Sequence, residues 1–306
     1  MKKILFSCIV LSLIAYSFFF PEITVNAAKK GIEIWFHQIL PALLPFTILS
    51  AILVKSDFLR SFKGNANLIA CLLTMSCGFI FGFPIGAKLS SDFYKQKLLS
   101  EKQATILSIA TNNFSPMYVC GFALPLLFAS SAYTIPTYVI LYLVPLMLAT
   151  VFLLCYISKV NSKNDTTDAV AFQLNMQVMD LGIISGFESL VKICGYIVLF
   201  SIFTEIITTT ITSFSIQPLL PLSVIIGNLE ITNGIQHFST IEIAEHAKYI
   251  VVIQLLSFGG LSGIAQTGSI LSNAGLSTHK YIIGKALLSL LLTLLSVIYV
   301  FFIHHL

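Results

Sequence analysis

The sequence predicts an all-α polytopic membrane protein with two inverted structural repeats, re-entrant hairpins and discontinuous helices. Three observations carry that prediction. Only 10% of the 306 residues are charged and 57% are hydrophobic, with a mean hydropathy of +0.92. A soluble domain carries about 25% charged residues, because its surface must be wetted. Six stretches, 4–20, 66–87, 103–158, 206–229, 249–279 and 286–306, contain no Asp, Glu, Lys or Arg. Each is near or above the roughly 20 residues an α-helix needs to cross a bilayer core. They are Leu- and Ile-rich without strict alternation, which favours helices over a barrel. Finally, glycine, proline and asparagine interrupt the apolar runs at matching places in the two halves.

In chain order, Lys2 and Lys3 precede an apolar run and a small-residue "VNAA". The pattern resembles a secretory signal, but the run is long for a signal core and is read as a retained span. Residues 1–30 are then that span and an external loop. Residues 31–157 hold the first repeat and a following span: a crossing over 34–54, a hairpin over 66–87, crossings over 104–128 and 133–157, and "FASSAYTIP" as their turn. Residues 158–185 are a polar linker whose core is "SKVNSKNDTTDAVAF". Residues 186–306 hold the second repeat and last span: 188–210, a dip around Glu230, 249–272 and 281–303. Full crossings at 66–87 and 218–238 remain the alternative.

Cytoplasmic loops are enriched in Lys and Arg. With Lys2 and Lys3 inside, the hairpin reading keeps Lys55, Arg60 and Lys63, then Lys88, Lys95, Lys97 and Lys102, and later Lys159 and Lys163 on that side. The matching connector of the second half carries Glu242, Glu245 and only Lys248, and falls outside. Lys29 and Lys30 are the exception. Opposite orientation of the two halves is the plan of many secondary transporters.

The repeats open on "GIEIWFHQILPALLPFTI" and "GFESLVKICGYIVLFSIF". Each continues to a glycine-bracketed break, "GFPIGAK" or "GNLEITNG", and then to an interrupted apolar helix, "TNNFSP" or "SFGGLSG". Such breaks free backbone groups that lipid cannot satisfy, so they persist only where protein or a water-filled cavity pairs them. Four of them in register predict one central polar site, with helix ends presenting N–H groups to anions and carbonyls to cations.

The candidate binding residues follow from these breaks. Pro84 ends a helix and Gly86 permits close backbone approach. Lys88 reads as an anion contact or as a snorkelling interfacial lysine. Asn112, Asn113 and Ser115 supply polar groups at the first interrupted helix; Gly259, Gly260, Ser262 and Gln266 mark the second, with Ser257 beside them. Glu230 is the sharpest, since a carboxylate at the bilayer centre costs about 2.5 kcal/mol or more and is paired, protonated or functional. It reads as a coupling-proton carrier, a Na⁺ ligand, an acceptor for a substrate N–H or hydroxyl, or a shallow interfacial Glu. Thr232 and Asn233 add hydrogen-bonding groups beside it. Trp35 reads as an interfacial anchor.

Scattered lysines and a net charge of +4 do not suggest nucleic-acid binding. Six cysteines lie in apolar segments without ligand spacing, so no metal site or disulfide framework is expected. There is no phosphate-binding Gly-Lys-Ser/Thr loop, HExxH or Gly-x-Ser-x-Gly element, so no enzyme and no cofactor is expected. A coupling ion, H⁺ or Na⁺, stays open. The expected partners are membrane lipid and a small anionic substrate, and a homo-oligomer is compatible with the chain.

The pieces "FPEITVNAAKKGIEIWFHQILPALLPF", "GFPIGAKL", "TNNFSP", "EITNG" and "FGGLSG" occur in one order from Phe20 to about Ser272. In these the chain resembles the YlbJ-type sporulation integral membrane proteins, a family with nucleoside-recognition Gate domains. The resemblance implies a membrane protein of a developing spore, in the bacterial cell membrane or the outer forespore membrane. It further implies kinship with concentrative nucleoside transporters, whose substrate lies between hairpin tips and unwound helices. Movement of dipicolinate, a small aromatic dianion, is the family-level expectation. A nucleoside transporter and a non-transporting scaffold or receptor of the spore envelope are the alternatives. The family's second half often carries a histidine after Gly-Gly-Leu-Ser; this chain has Gly263 and Ile264 there, so no role is carried over to that position.

Overall fold

A computed structural model describes residues 2–61, 65–160, 175–213 and 220–305. All regular structure among them is helical. After α1 (Lys2–Phe19) comes α2, unbroken over Pro21–Lys55. The expected external loop at 21–30 is therefore helix, with Pro21 in its first turn, where a missing N–H costs nothing. A hairpin follows, α3 (Ala66–Phe81) and α4 (Ile85–Lys95). Next are α5 (Glu101–Thr111), α6 (116–127) and α7 (134–160). Most of the linker's polar core, 161–172, lies outside the described residues. Its expected last part, 176–185, is instead the start of α8 (Met176–Ser213). Beyond it lie a second hairpin, α9 (Leu220–Leu229) and α10 (Ile231–Thr240), then α11 (Glu245–Phe258), α12 (Gly260–Asn273) and α13 (Thr278–His305).

Among the described residues five stretches are long and apolar enough to cross a bilayer: Pro21–Lys55, Ser131–Cys155, Met176–Ile211, Glu245–Asn273 and Thr278–Phe302. The π-helical turns among the described residues, Trp35–Ile39, Val119–Ala123 and Val139–Leu143, each end two residues before a proline, namely Pro41, Pro125 and Pro145. Proline has no N–H and its ring crowds the carbonyl four residues back. Widening the preceding turn absorbs both defects without ending the helix.

Between membrane helices, close packing matters more than exclusion of water, and small residues permit it. A Cβ on Gly31 of α2 would lie 3.1 Å from the Val198 Cα of α8; on Gly186 and Gly182 it would press on Ile48 and Ile52 of α2. Contacts thus run in opposite directions, and α2 and α8 are antiparallel neighbours. Trp35, expected as an interfacial anchor, donates its indole N–H to the Leu190 carbonyl and ties the same two helices (2.9 Å). Each hairpin closes glycine on glycine. A Cβ on Gly78 would lie 3.1 Å from the Gly86 Cα, and one on Gly234 would lie 2.5 Å from the Gly227 Cα. The two large apolar clusters mix residues of both halves: Phe93 and Leu107 share one with Leu271 and Tyr281, and Val119 and Ile140 share the other with Tyr249 and Leu292.

Candidate functional site

The breaks are narrower than their sequences suggest. In "GNLEITNG" only Glu230 leaves the helical path, with α9 ending at Leu229 and α10 starting at Ile231. In "SFGGLSG" the interruption is Gly259, left-handed at φ +87°, followed by Gly260 at φ +65°. Two successive residues in that region require glycine. The first-half breaks are wider: Gly82, Phe83 and Pro84 form one, and residues 112–115 the other.

Residues from all four breaks line one cavity of about 100 Å³, among them Phe83, Ser115, Glu230 and Gly259. The tips also touch their neighbouring interrupted helices. Phe83 N–H donates to the Asn113 carbonyl at 2.6 Å, and a Cβ on Gly260 would lie 3.0 Å from Ile231. Thr232, Ser262 and Gln266 add polar groups to this central cavity, while Phe81, Phe83, Phe114 and Tyr118 give it aromatic walls. Glu230 is buried and caps α10: its Oε2 accepts the Asn233 N–H at 2.7 Å. A carboxylate suits this place, because the N-terminal end of a helix carries partial positive charge.

Two further cavities flank the central one. A cavity of about 160 Å³ is lined by Pro84, Lys88, Asp92, Glu188 and Lys192, and shares Gln266 and Ile193 with the centre. A third, of about 230 Å³, is lined by Lys30, Ser201, Glu205, Asn233 and His237. Helix α8 passes all three in order, through Ser185 to Tyr196, then Ile193 and Ile197, then Ser201 to Thr208. At 1.5 Å per residue, Ser185 to Thr208 spans about 35 Å, slightly more than a hydrocarbon core of about 30 Å.

Buried polar atoms without a protein partner point the same way. Among the described residues they are Lys88 Nζ, Ser91 Oγ, Asn112 Oδ1, Tyr118 Oη, Asn233 Oδ1 and Gln266 Oε1. All but Asn112 belong to residues that line one of the three cavities. Buried polar atoms are nearly always paired, so this clustering marks surfaces suited to a polar solute.

The predicted residues therefore divide. Ser115, Glu230, Thr232, Gly259, Ser262 and Gln266 line the centre; Pro84 and Lys88 line one flank and Asn233 the other. Gly86 and Gly260 act as close contacts, Gly86 against Thr111. Asn112 and Asn113 line none of these cavities. The Asn112 amide donates to Thr267 Oγ1 and Tyr281 Oη, both at 2.9 Å, while the Asn113 amide donates to the Ala110 carbonyl. Sequence reasoning missed Lys285, which reaches the same two asparagines. Its signal was available: a charge well inside a long apolar helix deserves the attention given to Glu230. The aromatic walls carried no signal among 25 phenylalanines.

The chain is similar to the sporulation integral membrane protein YlbJ of Bacillus subtilis (strain 168), with 24% identity over 309 residues, 87% of this chain and 75% of the relative. The resemblance read from the motifs is thus borne out along most of the chain, which is an integral membrane protein. No family model and no solved structure matches it.

Proposed function

We propose that the chain is a secondary transporter that moves a small anionic metabolite across a membrane of the developing spore. One observation carries this reading: three cavities lie in file along α8, and the middle one is lined by all four helix breaks. Alternating access needs a central site reachable from either face, set between elements that can rock against each other. The antiparallel packing of α2 on α8 and the two glycine-closed hairpins support the inverted-repeat reading. On that reading both hairpins are re-entrant, and their tips meet at the central cavity.

The site chemistry fits a flat ring bearing a carboxylate. The aromatic walls suit the ring, and among the described residues Glu230 is the only charged one that lines the central cavity. Lys88 lies one cavity away, across Gln266, with an ammonium that makes no hydrogen bond. An anion therefore engages Lys88 with its charged end while the ring occupies the centre. Spore involvement comes from the relative's name, and dipicolinate is the favoured substrate on the family resemblance. Glu230 couples the cycle: an H⁺, a Na⁺ or a substrate donor at this carboxylate competes with the Asn233 N–H it now holds, loosening the second tip.

Uptake of labelled dipicolinate and labelled uridine into proteoliposomes tests this, with wild type, Glu230→Gln and Lys88→Ala. The expectation is dipicolinate flux, reduced about tenfold or more in each variant, equivalent to about 1.4 kcal/mol of barrier. Uridine flux alone would move the protein to nucleosides. Flux unchanged in both folded variants would reject the site, and no flux of either solute would favour the scaffold.

A further inference from the structure

Lys285 is fully buried in α13. Its Nζ donates to the Asn112 carbonyl at 2.8 Å and to Asn113 Oδ1 at 2.7 Å. Among the described residues no ion pair joins it to a carboxylate. An ammonium in an apolar interior is costly unless oxygen acceptors surround it, and here they come from one unwound turn.

That turn has the character of a cation site. Asn112 caps the C-terminal end of α5 with φ −90° and ψ 61°, so its carbonyl lies where helix carbonyls lose their intrahelical partners and partial negative charge collects. Two oxygens converge on one point. The rest of the turn is held rigidly: Asn112 by Thr267 and Tyr281, the Asn113 carbonyl by Phe83 N–H, and the Phe114 carbonyl by the Tyr142 hydroxyl at 2.9 Å. Three of these ties, from Thr267, Tyr281 and Lys285, cross from the second half of the chain.

We propose that Lys285 is the built-in cation of the first break, its ammonium standing where a monovalent metal ion would otherwise bind to the Asn112 and Asn113 oxygens. The first half is then closed to a dissolved coupling ion. Any such ion must act in the second half, where Glu230 supplies a carboxylate and no lysine lies within the hairpin tip. Removing the side chain should turn the turn into a site for a small monovalent cation. This depends only on local geometry and not on what is transported.

The test uses the detergent-purified full chain and its thermal unfolding midpoint in equal concentrations of sodium, potassium, choline and methylammonium chloride. Wild type sets the reference in each salt, any response of the second half to a cation included, and the variants are read as differences from it. Lys285→Ala should melt several degrees lower in choline and recover at least half of the loss in methylammonium, whose head group matches the one removed. Lys285→Met fills the space without charge and should stay low in every salt. The proposal is overturned if Lys285→Ala responds no more than wild type to any cation, or if Lys285→Met is as stable as wild type. Should neither variant fold, Asn113→Asp is compared with Asn113→Ala, which loses the same amide bond to Ala110: facing a fixed cation the carboxylate should melt clearly higher than the alanine variant, and no difference rejects the cation.

Discussion

The two halves solve one problem, an interrupted helix inside a membrane, by different means. In the first half the loose ends are tied across elements: Phe83 N–H to the Asn113 carbonyl, and Lys285 to Asn112 and Asn113. In the second half the hairpin supplies its own cap, Glu230 to the Asn233 N–H, and the facing helix is interrupted at Gly259 and Gly260. One break is locked by a distant lysine. The other is capped by a carboxylate that lines the central cavity, and its hairpin is tied outward through Asn233 to Ser201 and Asn228 to Gln254. The halves therefore differ in what caps the break: a lysine sealed inside the packing in the first, a cavity-lining carboxylate in the second.

The sharpest way to break that comparison is to open the hairpins. In Gly86→Ala the new Cβ would lie 2.3 Å from Thr111 Oγ1 and 2.7 Å from the Thr111 carbonyl oxygen. It strikes the very helix that ends at the first break. In Gly234→Ala the clash is with the Gly227 backbone, inside the hairpin itself. Overpacking of this kind costs about 1–3 kcal/mol. Gly86→Ala should lie at the top of that range and Gly234→Ala below it, compared as unfolding midpoints in detergent. Equal losses would mean that the first hairpin is no more locked than the second.

The breaks were legible because glycine, proline and asparagine stand out against Leu and Ile, and lipid tolerates no unpaired backbone. Their convergence on one cavity followed from the same argument. The distribution of residues among cavities was not legible, because it depends on how α8 packs beside both hairpins. Two expected non-helical segments are helix: the external loop within 1–30 is the start of α2 from Pro21, and the end of the 158–185 linker, from Met176, is the start of α8. Lys285 escaped because it sits beside the edge of the uncharged run 286–306, although the crossing read over 281–303 contains it and α13 begins seven residues earlier.

A smaller effect sharpens the comparison at the caps. Ser115 Oγ accepts the Tyr118 N–H at 3.2 Å at the start of α6, as the Glu230 carboxylate accepts the Asn233 N–H at the start of α10. Losing a neutral N-cap costs about 1 kcal/mol, and hydrogen bonds to charged groups are worth about 1.5–3 kcal/mol. Glu230→Ala should therefore destabilise more than Ser115→Ala. Glu230→Gln should recover most of that stability, since its amide oxygen can still accept, without restoring flux. If Gln restored flux as well, the carboxylate would be a cap and nothing more.

The smallest effect concerns an ion pair between the halves that lies in the open. Lys280 Nζ donates to Glu101 Oε1 at 2.6 Å, joining the first turns of α13 and α5. Both side chains are about half exposed, at 61% and 46%, so solvent and salt screen the pair and its contribution is small. The hydrogen bond from Lys280, with its charge, holds the Glu101 carboxyl below the usual carboxylate range. The sign follows from linkage: the stabilisation is present above the ordinary carboxylate pKa and fades as pH falls through the lowered one. Glu101→Gln should lower the midpoint slightly at neutral pH. The difference from wild type should shrink on acidification and in salt of about 1 M, where the screening length is about 3 Å. Lys285 should behave oppositely under salt, because a buried ammonium bonded to carbonyl oxygens is shielded from the solution. A Lys285→Ala loss that vanished in high sodium chloride but persisted in high choline chloride would be ion replacement, whereas a loss of the Glu101 pair erased by both salts would be screening. The two lysines of α13, five residues apart, thus separate a cation that belongs to the fold from one that only decorates it.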